Sequence, residues 1–309
     1  MSDVLITGAS GFIGTNLCHH LFNEGFSVDG VDIEAPQFEL PDTVDLYQRD
    51  LTASPELPET DVIVHLAAHS QVQSIVDEPQ RAIDNMSMTQ HVLNEATRMD
   101  AFVVNASSRD VYGSALQPQE DEVTVESPNG YAASKLGSEA LVNAYQNTED
   151  LSAVSLRLSN VYGPRDMNRR VIPIFITRAS AGKELIVYGS GKILDFIYID
   201  DVCRALLAAI ERSHILDGEV LNIGSGTGKT LPEVASQISD QIDTCPGWTV
   251  EPNRQGDVSR YVSDISKAEA LLNFNVNTSF AEGLDNTLSW YSSNSRHLTS
   301  VQPSEKQGY

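Results

Sequence analysis

Cysteine is scarce in this chain: Cys18, Cys203 and Cys245 lie far apart in 309 residues, with no CxxC pair and an odd total. That usage indicates neither a disulfide framework nor a thiolate metal site, and the three are expected as buried spectators. Basic residues are also few, 20 against 43 acidic ones, for a formal net charge of −23. Nucleic acids and anionic lipid surfaces are polyanions and are disfavoured as main partners. No uncharged apolar run approaches the ~20 residues of a membrane span. The N-terminus passes from Met1, Ser2 and Asp3 directly into "VLIT", without the pattern of a signal peptide. A soluble, cytoplasmic protein is expected.

What is present is enough apolar material, 41% of residues, for one large core or two unequal ones. The acids are spread along the whole chain, and arginines outnumber lysines fourteen to six. Such a solvated acidic shell is similar to those of halophilic proteins, in which high ionic strength screens self-repulsion.

The first half alternates short apolar runs with amphipathic stretches: "VLIT", a helical pattern through Leu17 and Leu21, "SVDGVD", "DVIVHLAA", a helix near "MTQHVLNEATRM", and "FVVNASS". Strand and helix in alternation predict an α/β fold with a doubly wound parallel sheet of Rossmann type. Beyond "VSLRLSNVYGP" the texture changes. Pro164, Pro173, Pro232, Pro246 and Pro252 break shorter elements, while "LDFIYIDD" and "EVLNIG" still read as strands. A smaller α/β lobe interleaved with the first is expected, with 1–163 and 195–224 in the cofactor domain and 164–194 and 225–294 in the substrate lobe. Residues 295–309 have little periodicity and read as a tail.

Directly after the first strand, "TGASGFIGTNLCHHL" carries Gly8, Gly11 and Gly14, with Phe12 and Ile13 between the last two. Glycines at this spacing let the backbone turn sharply and approach a pyrophosphate, and the free amides of the helix start face the anion. A second strand ends at Asp32, eighteen residues past Gly14. There a carboxylate accepts hydrogen bonds from ribose hydroxyls and repels a 2′-phosphate, which favours NAD over NADP. The later "GSGTGKT" is one residue short of a phosphate-binding Walker loop, because Ile223 stands where the first glycine belongs. A Gly-rich bend after a strand is expected instead.

In "SPNGYAASKLGSEALVNAY", Tyr131 and Lys135 stand at i and i+4 of a predicted helix and project from one face. By chance alone that spacing is common; the upstream glycine loop and Ser108, in "NASSRDVYG" at the end of the fifth strand, give it meaning. A tyrosine holds its proton until about pH 10, but a neighbouring ammonium and a cationic nicotinamide favour phenolate. Tyr131 is then an acid–base group, Lys135 its electrostatic support and the holder of the nicotinamide ribose, and Ser108 the hydroxyl that positions a substrate oxygen.

With these motifs in place the chain resembles the extended short-chain dehydrogenase/reductases of the nucleotide-sugar epimerase and dehydratase family, nearest in pattern to the UDP-glucose 4-epimerases. The resemblance runs from "TGASGFIG" through "HLAA", "SSRDVYG", "YAASK", "NVYGPR", "YIDD" and "NIGSG" to "NRQGDV" and "SDISKAEALL". It implies that Asp50 and Leu51 border the adenine, that Leu66, Ala67 and Ala68 line the middle of the cofactor, and that Asn85 lies beside the nicotinamide. It further implies that Asn160, Arg254 and Asp257 hold the nucleotide diphosphate and ribose, with Tyr188 on the base. The implied reaction is inversion at C4 of a UDP-glucose or UDP-galactose type substrate through a 4-keto sugar, with NAD retained. A homodimer through the helices around Met86–Met99 and Tyr131–Tyr145 is implied as well.

Three departures qualify that reading. Where the family often shows Arg-Asp-Phe, this chain has Leu194, Asp195 and Phe196, so a diphosphate-clamping arginine is missing and Arg170, or else Lys192, is expected to replace it. Family 4,6-dehydratases carry an acid and then Glu after the Ser or Thr; Arg109 and Asp110 stand there instead, which disfavours dehydration because no general acid is available to expel the 6-hydroxyl. Tyr261 matches a position that limits room at the sugar 2-substituent, pointing away from N-acetyl sugars. A dehydratase, decarboxylase or 4-keto reductase on the same scaffold, and a non-catalytic NAD-binding regulator, remain as alternatives. His65 and His69 form too poor a ligand set to assign a metal.

Overall fold

The computed structural model describes residues 2–123, 126–252 and 260–294. Its centre is a seven-stranded sheet in which every adjacent pair is parallel. In chain order the strands are β1 (Ser2–Thr7), β2 (Val28–Asp32), β3 (Asp45–Gln48), β4 (Thr60–His65), β5 (Phe102–Ser108), β6 (Ala153–Leu158) and, after three strands outside the sheet described below, β10 (Val220–Ile223). The spatial order is β10-β6-β5-β4-β1-β2-β3. The chain therefore winds outward from β1 to β3 and then crosses back to β4 on the other side of β1. That reversal leaves a crevice above the carboxyl ends of β1 and β4, where open α/β sheets take ligands.

Strand alternation explains why both faces are covered. Along β1, Val4 and Ile6 enter one core while Leu5 enters the other; along β4, Val62 and Val64 oppose Ile63 in the same way. Helices α1 (Phe12–Asn23) and α6 (Ile199–Glu211) pack on the first face, and α3 (Gln80–Met99) and α4 (Gly130–Glu149) on the second. Helix α1 opens at Phe12 with Gly11 as its N-cap. β3 lies at the sheet edge with half-buried and exposed residues only, a pattern without the apolar run that marks a strand in sequence.

The remaining elements form the smaller lobe and its junction. β7 (Asn160–Tyr162) and β11 (Gly228–Thr230) flank β9 (Ile193–Tyr198) in a three-stranded sheet, and β8 (Leu185–Tyr188) pairs with β12 (Trp248–Glu251). The Walker-like stretch is a bend at Gly224 to Thr227, as expected, that runs into a short strand: Lys229 lies on β11 opposite Leu194, and Thr230 caps α7 (Leu231–Gln241) in a reciprocal box with Glu233. At the start of α6, Asp201 is fully buried and accepts the amides of Asn277 and Thr278, tying the approach to α9 (Phe280–Ser293) onto the junction. Cys18 and Cys203 are buried, Cys245 is half-buried, and all three are free thiols. No helix among the described residues is long and apolar enough to cross a membrane.

Candidate active site

The loop after β1 has the shape that a dinucleotide requires. Gly8 adopts φ +74°, and a Cβ there would lie 2.8 Å from the Ala67 amide nitrogen. A Cβ on Gly14 would collide with the Gly8 carbonyl, so helix α1 approaches the loop as closely as only glycine allows. Phe12 and Ile13 form the first turn, half-buried against the core. At the end of β2, Asp32 accepts the amide of Ser10 at 2.9 Å and that of Glu34 at 3.1 Å, which fixes a carboxylate beside the loop. Leu66, Ala67 and Ala68 follow β4 across the crevice, half-buried, with the Leu66 amide donating to Thr7 O. These residues fit NAD: a cradle that any Cβ would fill, and an acid where the adenosine ribose belongs.

Two expected adenine neighbours have local duties. The Asp50 carboxylate caps the short turn Leu51–Ala53 by accepting from the Thr52 amide and hydroxyl, and these bonds hold it below the usual carboxylate range. Leu51 is buried in the second core. Asn85, on α3, is buried and accepts the His69 amide at 2.7 Å while donating to Ser134 on α4 at 3.0 Å, so it anchors the β4 loop to the helix that carries Tyr131. His65 is consumed structurally, between the hydroxyls of Thr7 at 2.8 Å and Thr89 at 3.2 Å, and burial pushes it down to about 3.

Helix α4 begins at Asn129, whose side chain accepts the Ala132 amide, and this cap sets the first turn containing Tyr131. The Ser108 hydroxyl is near enough to the Tyr131 phenol to favour its ionisation. One turn on, the buried Lys135 ammonium donates to Ala106 O at 2.6 Å, just before Ser108 on β5. Desolvation brings Lys135 down to about 8, opposed by the nearby Glu139 carboxylate. Tyr131 itself is held above its ordinary value, first by burial and next by Asp110; the charge of Arg170, the Ser108 hydroxyl and the charge of Arg109 pull the other way. The Lys135 ammonium is directed to a backbone carbonyl, and Arg170 and Arg109 are the cations whose charge favours the phenolate.

Arg170 is half-buried, and its charge acts on both Tyr131 and the buried Asp166, whereas Arg169 is exposed. Leu194 packs against the core and Lys192 is buried. Asn160 is half-buried, donating to Asp195 O at 2.7 Å and accepting from Arg109 at 3.3 Å. Tyr188 ends β8, half-buried. Tyr261 must be corrected: it is fully buried, stacked on Tyr112 at 6.1 Å under the Arg109 guanidinium, and it offers no surface to a sugar. Arg254 and Asp257 lie outside the described residues.

A buried polar chain behind the site was not anticipated. Glu139 accepts from Arg157 through Nε at 2.9 Å and Nη2 at 2.7 Å, and also from the Ser107 hydroxyl. Arg157 in turn donates to the Tyr112 hydroxyl at 2.7 Å, which donates to Asn222. Two signals for it exist in the sequence: Glu139 continues the helical face of Tyr131 and Lys135, and Arg157 interrupts the apolar strand "VSLRLS".

Residues 4–224 match the NAD dependent epimerase/dehydratase family, and the chain belongs to it. A dTDP-glucose 4,6-dehydratase of Streptomyces antibioticus is 30% identical, covering 94% of this chain and 93% of its own. A UDP-N-acetyl-alpha-D-glucosaminuronate decarboxylase of Bacillus cytotoxicus is 31% identical over 93% and 97%. Among solved structures, UDP-glucose 4-epimerase from Thermotoga maritima superposes with a TM-score of 0.88 at 27% identity, covering 94% of this chain and 99% of that one. The protein is an NAD-dependent enzyme of nucleotide-sugar chemistry.

Proposed function

We propose that the protein inverts C4 of a nucleoside-diphosphate hexose through a transient 4-keto sugar. Bound NAD supplies the hydride acceptor and donor for this chemistry. Tyr131 takes the proton of the C4 hydroxyl and later returns it, while Ser108, beside the phenol, orients that hydroxyl. Lys135, fixed on Ala106 O, lies one helical turn below the phenol on the cofactor side and is assigned to the ribose. The half-buried setting of Tyr131 limits the water that competes for the transferred proton.

The observation that carries this reading over elimination is Arg109, which stands where the dehydratase pattern has an acid. Expulsion of a 6-hydroxyl needs a proton donor at that place, and a guanidinium, which keeps its protons, is a poor one. The second reading, a 4,6-dehydratase, is favoured by Asp110, whose carboxylate lies 3.4 Å from the Ser108 hydroxyl, and by the Streptomyces relative. The test is incubation with UDP-, dTDP- and GDP-sugars without added cofactor and chromatography of the products. An epimer that disappears in Tyr131→Phe supports the proposal; a 6-deoxy-4-keto product, or an epimer formed undiminished by that variant, rejects it.

The protein is further assigned a homodimeric state. Between α3 and α4 an apolar groove is lined by Ile83, Met86, Gln90, Gly137 and Leu141, with Ile83 49% exposed. Gly137 has no room for a Cβ against Met86, so the two helices pack closely beneath that groove. A second copy of the same helix pair is the occupant that buries it.

A further inference from the structure

We propose that the sugar processed here carries a carboxylate at C6, making the substrate a nucleoside-diphosphate hexuronate, and that Arg109 is the residue that recognises it. The inference rests on the sugar being bound with C4 at Tyr131. It is argued from how incompletely the Arg109 guanidinium is used.

Arg109 follows Ser108 at the carboxyl end of β5, in the turn Arg109–Tyr112. Its side chain is 14% exposed, and its face lies over the Tyr261 ring at 5.6 Å, which holds the plane of the guanidinium. Among the described residues its hydrogen bonding is poor. Nη2 reaches Asn160 Oδ1 at 3.3 Å and stands 3.4 Å from Asp110 Oδ1, both long for charge-assisted contacts, and Nη1 is buried with no partner. A buried cationic N–H without an acceptor is costly, and Asp110 does not supply the forked geometry that guanidinium groups make with carboxylates.

Position defines the missing acceptor. Arg109 directly follows Ser108, the residue assigned to the C4 hydroxyl, at the carboxyl end of β5, so the guanidinium is rooted beside the place where that hydroxyl is handled. The ring atoms beside C4 are C3, bearing a neutral hydroxyl, and C5, bearing C6. In a hexose the group next to C4 that can carry negative charge is C6, oxidised to a carboxylate.

A second observation agrees. In a chain of net charge −23, two cations, Arg170 and Arg109, act on the phenol against one carboxylate, Asp110, which is the strongest of the three, and Lys135 lies one turn below. The other nearby acid, Asp166, is buried and pushed toward its neutral form by desolvation. A local excess of positive charge at the sugar end serves a substrate whose sugar is itself anionic, beyond what its diphosphate needs elsewhere.

The experiment uses the NAD-saturated full chain carrying Tyr131→Phe, so that affinity is read without turnover, and titrates UDP-glucuronate, UDP-glucose and the C6 methyl ester of UDP-glucuronate calorimetrically. The hexuronate is expected to bind about tenfold or more tightly than either neutral ligand. Adding Arg109→Gln is expected to collapse that ratio to near one, and Arg109→Lys to restore part of it. Equal affinity for the acid and its ester in the parent protein overturns the proposal with every residue intact, even if the Arg109 variants fail to fold. A preference that survives Arg109→Gln overturns the assignment to that residue. Products of the wild-type enzyme judge the C4 reading separately: a hexuronate preference with loss of carbon dioxide rejects epimerisation and leaves the recognition standing, whereas epimerisation of neutral sugars without a hexuronate preference does the reverse.

Discussion

At the scale of single residues the site turns on how one phenol is kept ready to lose a proton. Burial opposes ionisation of Tyr131, and Arg170 is the largest influence favouring it. Removing that cation raises the phenol further, so the alkaline pH at which kcat/KM reaches its plateau moves upward. Arg170→Ala is therefore expected to shift the pH profile toward higher pH relative to wild type, whatever it does to the plateau height. An unshifted profile contradicts the assignment of Arg170 to the phenol. Tyr131, Lys135 and Ser108 were legible in the sequence because their spacing follows directly from one helical turn and one strand end. The backbone contact of Lys135 was not legible, because the direction of a lysine side chain depends on which carbonyl the neighbouring strand leaves within reach, here Ala106. Tyr261 failed as a substrate wall for a similar reason: matching a position along the chain says nothing of whether Tyr112 and Arg109 close over it.

At the scale of elements the catalytic helix α4 is fixed at both levels of its first two turns, by its Asn129 cap and by Asn85, and from behind by the Glu139–Arg157 pair. The pair is bidentate and its side chains are 9% and 4% exposed, so losing one partner leaves the other charge stranded. Glu139→Ala is expected to lower the unfolding free energy by about 3–5 kcal/mol in urea titration, and the double variant Glu139→Met with Arg157→Met to recover most of it. A loss below about 1 kcal/mol in the single variant contradicts a stabilising tie between α4 and β6. Alternation and glycine spacing were sufficient to anticipate the strands β1, β2, β4, β5, β6 and β10. The short strands β3, β8, β11 and β12 escaped, because they have three or four residues each and, except in β8, no buried alternation; β11, directly after the expected bend, has no apolar residue to mark it.

For the whole molecule, the net charge of −23 spread over one compact chain means sustained self-repulsion at low ionic strength. At about 0.1 M salt the screening length is ~10 Å, and at 1 M it is ~3 Å, short enough to decouple most surface acids. Unfolding temperature is expected to rise steadily with KCl, which a flat or falling trend contradicts. Sedimentation in the same series tests the α3–α4 face: wild type should run as a dimer and Ile83→Glu as a monomer, and a monomeric wild type removes that assignment. The doubly wound class and the crevice at the β1/β4 reversal followed from the alternation of strand and helix. The interleaving of the smaller lobe depends on long-range pairings such as β7 with β9, which no local pattern encodes.

The central claim is that the hydrogen on C4 leaves and returns without meeting solvent. It is tested most directly by running the reaction to equilibrium in D2O with UDP-glucose and UDP-glucuronate and weighing the products after back-exchange into H2O. The account predicts a C4 epimer of unchanged mass. A product that retains solvent deuterium on carbon, or has lost water or carbon dioxide, contradicts it.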